Sequence, residues 1–77
     1  MKVQASSTMF DKMMQYGWNI DDVSDVACGE FLFLYGEYDE VSIVDVSENS
    51  VDFMFRNHFA GDIVLRVDAK GNTMEVK

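Results

Sequence analysis

The spacing of apolar residues changes near Gly29, and this change constrains the fold more than any other feature of the sequence. Before Gly29, apolar residues recur at helical intervals along one stripe: Phe10, Met13, Met14, Gly17 and Trp18. Beyond Gly29 the period falls to two, as it does in strands. The short connections between these strands favour antiparallel neighbours. The sequence therefore predicts an α+β domain, with two N-terminal helices packed on a four- to five-stranded antiparallel meander.

The first predicted helix follows three residues that can cap it: Ser6, Ser7 and Thr8. Gly17 can supply the left-handed residue that ends this helix. An apolar stripe rich in methionine could form a soft binding groove, but such a stripe more often lies in the core. We therefore expect the stripe, and Trp18 above all, to be largely buried against the sheet.

The second predicted helix is short and acidic. Asn19 is a good N-cap, and Gly29 can end the helix in the left-handed conformation. One side of the helix is apolar and consists of Ile20, Val23 and Ala27. The exposed side carries three carboxylates at spacings of three and four residues: Asp21, Asp22 and Asp25. The first two lie in the first turn, where the helix dipole favours anions.

The segment from Phe31 to Tyr35 consists of five consecutive apolar residues. Such a run is typical of a strand that is covered on both faces, either in the centre of a sheet or at an interface. A chain of 77 residues buries a small share of its surface when alone, so a dimer interface would add stability. The sequence therefore predicts a strand here and, with it, a homodimer.

Four further strands are predicted, at 41–46, 51–56, 62–67 and 73–77. The alternation is blurred at Ile43 and Val44, which a β-bulge would explain. Gly71 lies in the last hairpin turn, at the position that needs a positive φ. In the last strand we expect Met74 and Val76 to be buried.

One long segment, from Met13 to Phe55, contains ten acidic residues and neither lysine nor arginine. The whole chain has a net charge of −8. A block of one charge sign folds into a strongly negative surface. Such a surface disfavours direct binding to nucleic acid or to a membrane, since both need positive charge against phosphates. It favours a basic protein partner, or it serves solubility alone.

Catalytic chemistry is hard to build from these residues. His58 is the single histidine and falls in a predicted loop, while Cys28 lies between small residues and is expected to be buried. A lone cysteine fits a reducing cytoplasm, and no apolar run is long enough to span a membrane. We therefore expect one non-enzymatic domain, spanning 1–77, without a cofactor.

Two segments resemble metal sites only superficially. Asp45 opens a segment similar to a calcium loop, but Ser50 and Arg56 stand where that loop needs glycine and a bidentate acid. The acids of the turn 36–40 could hold a hard cation weakly, although a solvated turn is the more common arrangement. We therefore expect no metal site.

The candidate interface combines two acidic groups with one aromatic residue. Carboxylates at helical or strand spacing repeat at about 5–7 Å, which is similar to the spacing of charges along a nucleic-acid backbone. Tyrosine adds contact area at a small entropic cost and suits a protein interface. The candidate partner-binding residues are Asp21, Asp22, Asp25, Glu37, Tyr38, Asp39 and Glu40.

Small, acidic domains without catalytic residues resemble phage-encoded inhibitors of host defence, including anti-CRISPR proteins and other DNA mimics. The resemblance implies an inhibitor that occupies the basic site of a nucleic-acid-binding protein or complex. It would act in the cytoplasm, that of the host if the chain is phage-encoded. Two alternatives stay open: an antitoxin or immunity-type protein that neutralises a basic toxin, and an adaptor subunit whose acidity serves solubility alone.

Overall fold

A computed structural model describes residues 3–59 and 61–76 as two helices followed by a four-stranded antiparallel sheet. The helices are α1 (Ser7–Gln15) and α2 (Ile20–Tyr35). The strands are β1 (Glu40–Val46), β2 (Ser50–Asn57), β3 (Gly61–Asp68) and β4 (Thr73–Val76). Each strand pairs with the next along the chain, so the sheet order is β1-β2-β3-β4. The predicted α+β fold with its antiparallel meander is confirmed.

Local capping signals set where both helices begin. The Ser6 hydroxyl accepts a hydrogen bond from the Met9 amide at 3.2 Å, and the Asn19 side chain accepts one from the Asp22 amide at 3.1 Å. These bonds satisfy amides that lack a partner within the helix. Gly17, with φ of 74°, lies two residues after the end of α1 and allows the chain to turn into α2. The predicted N-cap Asn19, the N-cap Ser6 from the three candidates and the end of α1 at Gly17 are confirmed.

The course of α2 differs from the prediction. The helix continues through Gly29 to Tyr35, so the predicted end at Gly29 and the predicted strand from Phe31 to Tyr35 are both wrong. The glycine that ends the helix is Gly36, which has a positive φ of 88°. Five apolar residues in a row carry no period that separates a buried strand from a helical turn. A glycine inside a helix costs about 1 kcal/mol relative to alanine, which the packing of α2 offsets.

The core lies between the two helices and one face of the sheet. Phe31 of α2 stacks on Phe55 of β2, with ring centroids 4.3 Å apart and planes inclined by 8°. Tyr38 meets both rings edge-on, at 5.6 Å from Phe31 and 5.0 Å from Phe55. The apolar cluster is completed by Met13, Val23, Ala27, Cys28, Val41, Ile43, Val46, Val51, Phe53, Ile63, Leu65 and Val67.

The apolar stripe of α1 is only partly in the core. Met13 is buried, and Met9, one turn earlier, packs against the core. Phe10 and Met14 are exposed, so the expectation that the whole stripe is core is wrong for these two residues. Trp18 is half-buried rather than largely buried, and its indole Nε1 donates to the Ser47 carbonyl at 2.7 Å. The helix α1 has only nine residues and packs on β1 with one side, so its other sides are exposed to solvent.

The predicted bulge in β1 is confirmed. Ile43 pairs with Phe53, but Asp45 pairs with Asp52, so Val44 is an extra residue on β1. A bulge of this kind lets two residues on one strand oppose one on its neighbour. The shift keeps both Ile43 and Val46 on the buried face.

The last strand buries less than predicted. Met74 is exposed, so its predicted burial is wrong, while Val76 is half-buried. Met74 lies directly opposite Arg66 on the face of the sheet away from the helices, and it is 59% exposed there. Lys77, the last residue of the predicted strand, lies outside the described residues.

An ion pair crosses that outer face. Asp52 is 7% exposed, and its carboxylate accepts two hydrogen bonds from the Arg66 guanidinium, at 2.8 and 3.1 Å. Asp45 is directly opposite Asp52 on β1, so the guanidinium also offsets repulsion between two acids. The bond to Asp52 raises the pKa of Arg66.

We expect Arg66→Met to destabilise the fold. The Asp52 carboxylate would stay covered without its partner, which costs about 1–3 kcal/mol in the free energy of unfolding. The double substitution Asp52→Leu with Arg66→Met should recover much of this loss, because no charge then lacks a partner. Urea denaturation measures all three proteins. A single variant as stable as the parent would show that the ion pair does not stabilise the sheet.

Candidate protein-binding surface

The three aspartates of α2 form the first acidic group of the candidate interface. Asp21, Asp22 and Asp25 are exposed on the side of the helix that faces away from Val23 and Ala27. In residues 3–59 and 61–76, none of the three forms an ion pair. Two of them lie in the first turn, as predicted. Their charges are therefore open to a partner.

Two carboxylates of the second acidic group have basic side chains beside them within the fold. Asp39 lies 3.0 Å from His58 Nδ1, and Glu40 lies 3.5 Å from the Arg56 guanidinium. Glu37 is exposed in the loop that links α2 to β1. These contacts involve exposed side chains, so each is weak. A partner would compete with His58 and Arg56 for two of the three carboxylates.

Tyr38 belongs mainly to the core. It is half-buried, with its ring against Phe31 and Phe55, and its buried hydroxyl has no hydrogen-bond partner among the described residues. Burial raises the pKa of Tyr38, and the adjacent Cys28 thiol raises it further. A partner could touch only the exposed part of this side chain.

The two acidic groups lie at opposite ends of α2. At 1.5 Å per residue, the helix carries the chain about 21 Å from Asp21 to Tyr35 before Glu37 is reached. The apolar C-terminal half of α2 lies between them. The fold therefore presents two separate negative patches, and the part of α2 between Asp25 and Tyr35 separates them by about 15 Å.

A groove next to the first patch brings in an acid that the sequence did not single out. It has a volume of about 240 Å³ and is bounded by the start of α2 and the β3–β4 turn. Its lining includes Trp18, Asp22, Val26 and Asp68. An apolar wall beside carboxylates suits a lysine or arginine side chain, whose stem is apolar and whose end is charged. Only the fold brings Asp22 and Asp68 together, since they are far apart in sequence.

Asp68 also organises the turn after β3. Its carboxylate accepts hydrogen bonds from the backbone amides of Lys70 and Asn72, at 2.8 and 2.9 Å. The hydrogen bond from the backbone amide of Asn72 is the main cause of the lowered pKa of Asp68. Partial burial acts in the opposite direction and raises this pKa. Gly71 has the positive φ predicted for this turn, at 83°.

The lowered pKa predicts acid sensitivity. A carboxyl group whose pKa is lower in the folded than in the unfolded state stabilises the fold at pH values above its pKa in the unfolded state, which is about 4. That contribution is lost as the pH falls through the folded value. The melting temperature of the parent protein should fall as the pH is lowered from about 5 to about 2, and Asp68→Asn should make this fall smaller. Asp11→Asn, on an exposed side of α1, is the control. Parallel curves for Asp68→Asn and the parent would contradict this role.

Within residues 3–59 and 61–76, no group of three or more His, Cys, Asp or Glu side chains is arranged to hold a metal ion. Neither described helix combines the length and apolar character needed to cross a bilayer. Cys28 is buried, as predicted, but it lies in the middle of α2 and not next to a helix end.

Comparisons with known proteins give no relative. No family model matches the chain, and no curated protein or solved structure matches it. The function is therefore argued from the surface itself.

Proposed function

We propose that this protein is a non-enzymatic inhibitor that binds the basic site of a nucleic-acid-binding protein or complex. It would act as a nucleic-acid mimic, in the manner of phage-encoded anti-defence proteins such as anti-CRISPR proteins. The observation that carries the proposal is the row of three exposed aspartates on α2, which form no ion pair in the described chain. The site of action is the cytoplasm.

Helical spacing supports this mode of binding. Carboxylates three and four residues apart on a helix lie about 5–6 Å apart, near the spacing of backbone phosphates. A basic channel that binds such a row releases its own counterions and gains the long-range attraction that normally favours nucleic acid. One lysine or arginine of the partner can also enter the groove beside Trp18, between Asp22 and Asp68.

The second patch extends the footprint. Glu37, Asp39 and Glu40 follow the end of α2, which lies about 15 Å along the helix from Asp25 and about 21 Å from Asp21. A basic channel that holds a nucleic-acid duplex is long enough to reach both patches, whereas a single small pocket is not. The separation therefore favours an extended basic partner.

A tagged pull-down from lysate of the source organism tests the proposal. The protein is incubated at about 50 mM and about 500 mM salt, and the bound proteins are identified by mass spectrometry. We expect a basic nucleic-acid-binding protein at low salt only, and we expect added DNA or RNA to release it. A toxin that lacks a nucleic-acid site would support the immunity-type alternative. A partner that is insensitive to both salt and nucleic acid would contradict the mimic.

A further inference from the structure

The groove beside the first turn of α2 has the size of a single side chain. Its volume of about 240 Å³ lies below the roughly 300–1,000 Å³ of pockets that enclose cofactors or drug-sized ligands. Trp18, Val26 and Val67 form the apolar part of its lining. Two carboxylates complete it, Asp22 from α2 and Asp68 from the end of β3. A small apolar wall beside acids matches a long side chain with a positively charged end.

Both carboxylates can accept hydrogen bonds from such a side chain. Asp22 is exposed and forms no ion pair within residues 3–59 and 61–76. Asp68 Oδ1 accepts from two backbone amides, whereas Oδ2 accepts one bond within those residues, from the Asn72 side chain at 3.3 Å. A carboxylate oxygen can accept two hydrogen bonds, so Oδ2 retains an acceptor position. The turn therefore holds Asp68 in place and leaves it able to bind a cation.

Two positive charges near the groove oppose a bound cation. The N-terminal end of a helix carries a partial positive charge, and the groove lies at the start of α2. Lys70 is close enough to lower the pKa of Asp68, although no ion pair joins the two side chains in the described chain. A cation in the groove therefore depends on both carboxylates.

The aromatic wall favours arginine over lysine. The Trp18 indole Nε1 donates to the Ser47 carbonyl at 2.7 Å, so the polar atom of this ring needs no partner from the occupant. The ring offers the groove an aromatic surface, on which a planar guanidinium can stack. A guanidinium also carries five donors in a fixed fork and can bond carboxylates on two sides. Lysine ends in a compact and strongly hydrated charge.

We propose that this groove is a subsite for one arginine side chain of the protein that this chain binds, with the guanidinium over Trp18 and between Asp22 and Asp68. This role rests on the proposed function, since it names the side chain by which a basic partner is held at the start of α2. The arginine contact depends on the shape of the groove, whereas Asp21 and Asp25 attract a partner by charge alone.

Titration of the purified chain with two short peptides tests the proposal. The probes are acetylated and amidated tripeptides, glycine–arginine–glycine and glycine–lysine–glycine, which carry the same charge and are added at constant ionic strength. Two-dimensional NMR spectra follow the backbone amides and the indole of Trp18. We expect the arginine peptide to shift the resonances of Trp18, Asp22 and Ala69, with a Kd of about 1–10 mM. The lysine peptide should bind about two- to fivefold more weakly, because it cannot stack on the indole.

Two substitutions in the first turn of α2 separate the groove from general charge. Asp22→Asn should weaken binding of the arginine peptide about two- to fivefold, because one of the two carboxylates is lost. Asp21→Asn is the matched control, since Asp21 is exposed in the same turn and lies outside the groove. It removes the same charge and should leave the affinity unchanged. Circular dichroism checks that both variants are folded.

Equal affinity for the two peptides, or an equal loss in the two aspartate variants, overturns the proposal, because either result describes diffuse attraction to an acidic surface. Unchanged resonances of Trp18 also overturn it. The titration involves no nucleic-acid-binding protein, so its failure is distinct from failure of the mimic. A captured partner can leave the groove empty, and the groove can bind arginine when no such partner is captured.

Discussion

Phe31→Ala should lower the free energy of unfolding by about 3–5 kcal/mol, whereas Phe33→Ala should change it by less than about 1 kcal/mol. Phe31 is fully buried and stacks on Phe55 at 4.3 Å, so its removal leaves a cavity and breaks an aromatic contact. Phe33 is 85% exposed and leaves no cavity. Both residues are phenylalanines of α2, so the expected difference in stability comes from their positions on the helix.

Urea denaturation of the two variants checks this difference. A strand over Phe31–Tyr35 would place both rings on one face, because side chains two apart share a face in a strand. Equal losses for Phe31→Ala and Phe33→Ala would therefore contradict the continuation of α2 to Tyr35.

Reversal of the three α2 aspartates should have the largest effect on partner binding. Asp21, Asp22 and Asp25→Lys changes the net charge from −8 to −2 and turns attraction to a basic site into repulsion. Each exposed contact is worth about 0.2–1 kcal/mol singly, but reversal of all three should weaken binding at least about 100-fold at low salt.

A second triple variant separates position from total charge. Asp11, Asp45 and Glu48 are exposed acids outside the two patches, and their change to Lys also gives −2. We expect this control to retain most of the affinity, and calorimetric titration of the partner measures both variants. Stability should change little, since lost helix-dipole interactions of about 0.3–1 kcal/mol each oppose the relief of self-repulsion. Equal affinities for the two triple variants would contradict a role for the α2 row.

The sequence was sufficient to predict those structural features that depend only on nearby residues. Ser6 and Asn19 were among the predicted N-caps, because their side-chain oxygens can accept hydrogen bonds from the first amides of a helix. The bulge at Val44 was predicted because one extra residue disrupts an otherwise alternating strand. These features depend on neighbours within a few residues, so no knowledge of the fold was needed.

The continuation of α2 could not be predicted in this way. The segment from Phe31 to Tyr35 is uniformly apolar, and its helical state depends on the packing of Phe31 against Phe55, far along the chain. Met74 was misassigned for a related reason, since the sequence does not show which face of an edge strand is covered. Tertiary packing decides both cases.

The candidate site was predicted in part. Burying a charged group is costly, so carboxylates are expected on the surface. All six predicted acids are indeed exposed. Their distribution required the fold: Asp39 contacts His58, Glu40 contacts Arg56, α2 separates the two patches, and Asp68 joins Asp22 at one groove. None of these relations leaves a signal in residue spacing.

The most direct test of the mimic is a competition between this protein and nucleic acid for the captured partner, performed at two salt concentrations. We expect DNA or RNA to displace the wild-type protein at about 0.1 M salt, and its affinity to fall at least tenfold by about 0.3 M. A partner that binds this protein and nucleic acid simultaneously, with an affinity that does not change with salt, would contradict the proposal.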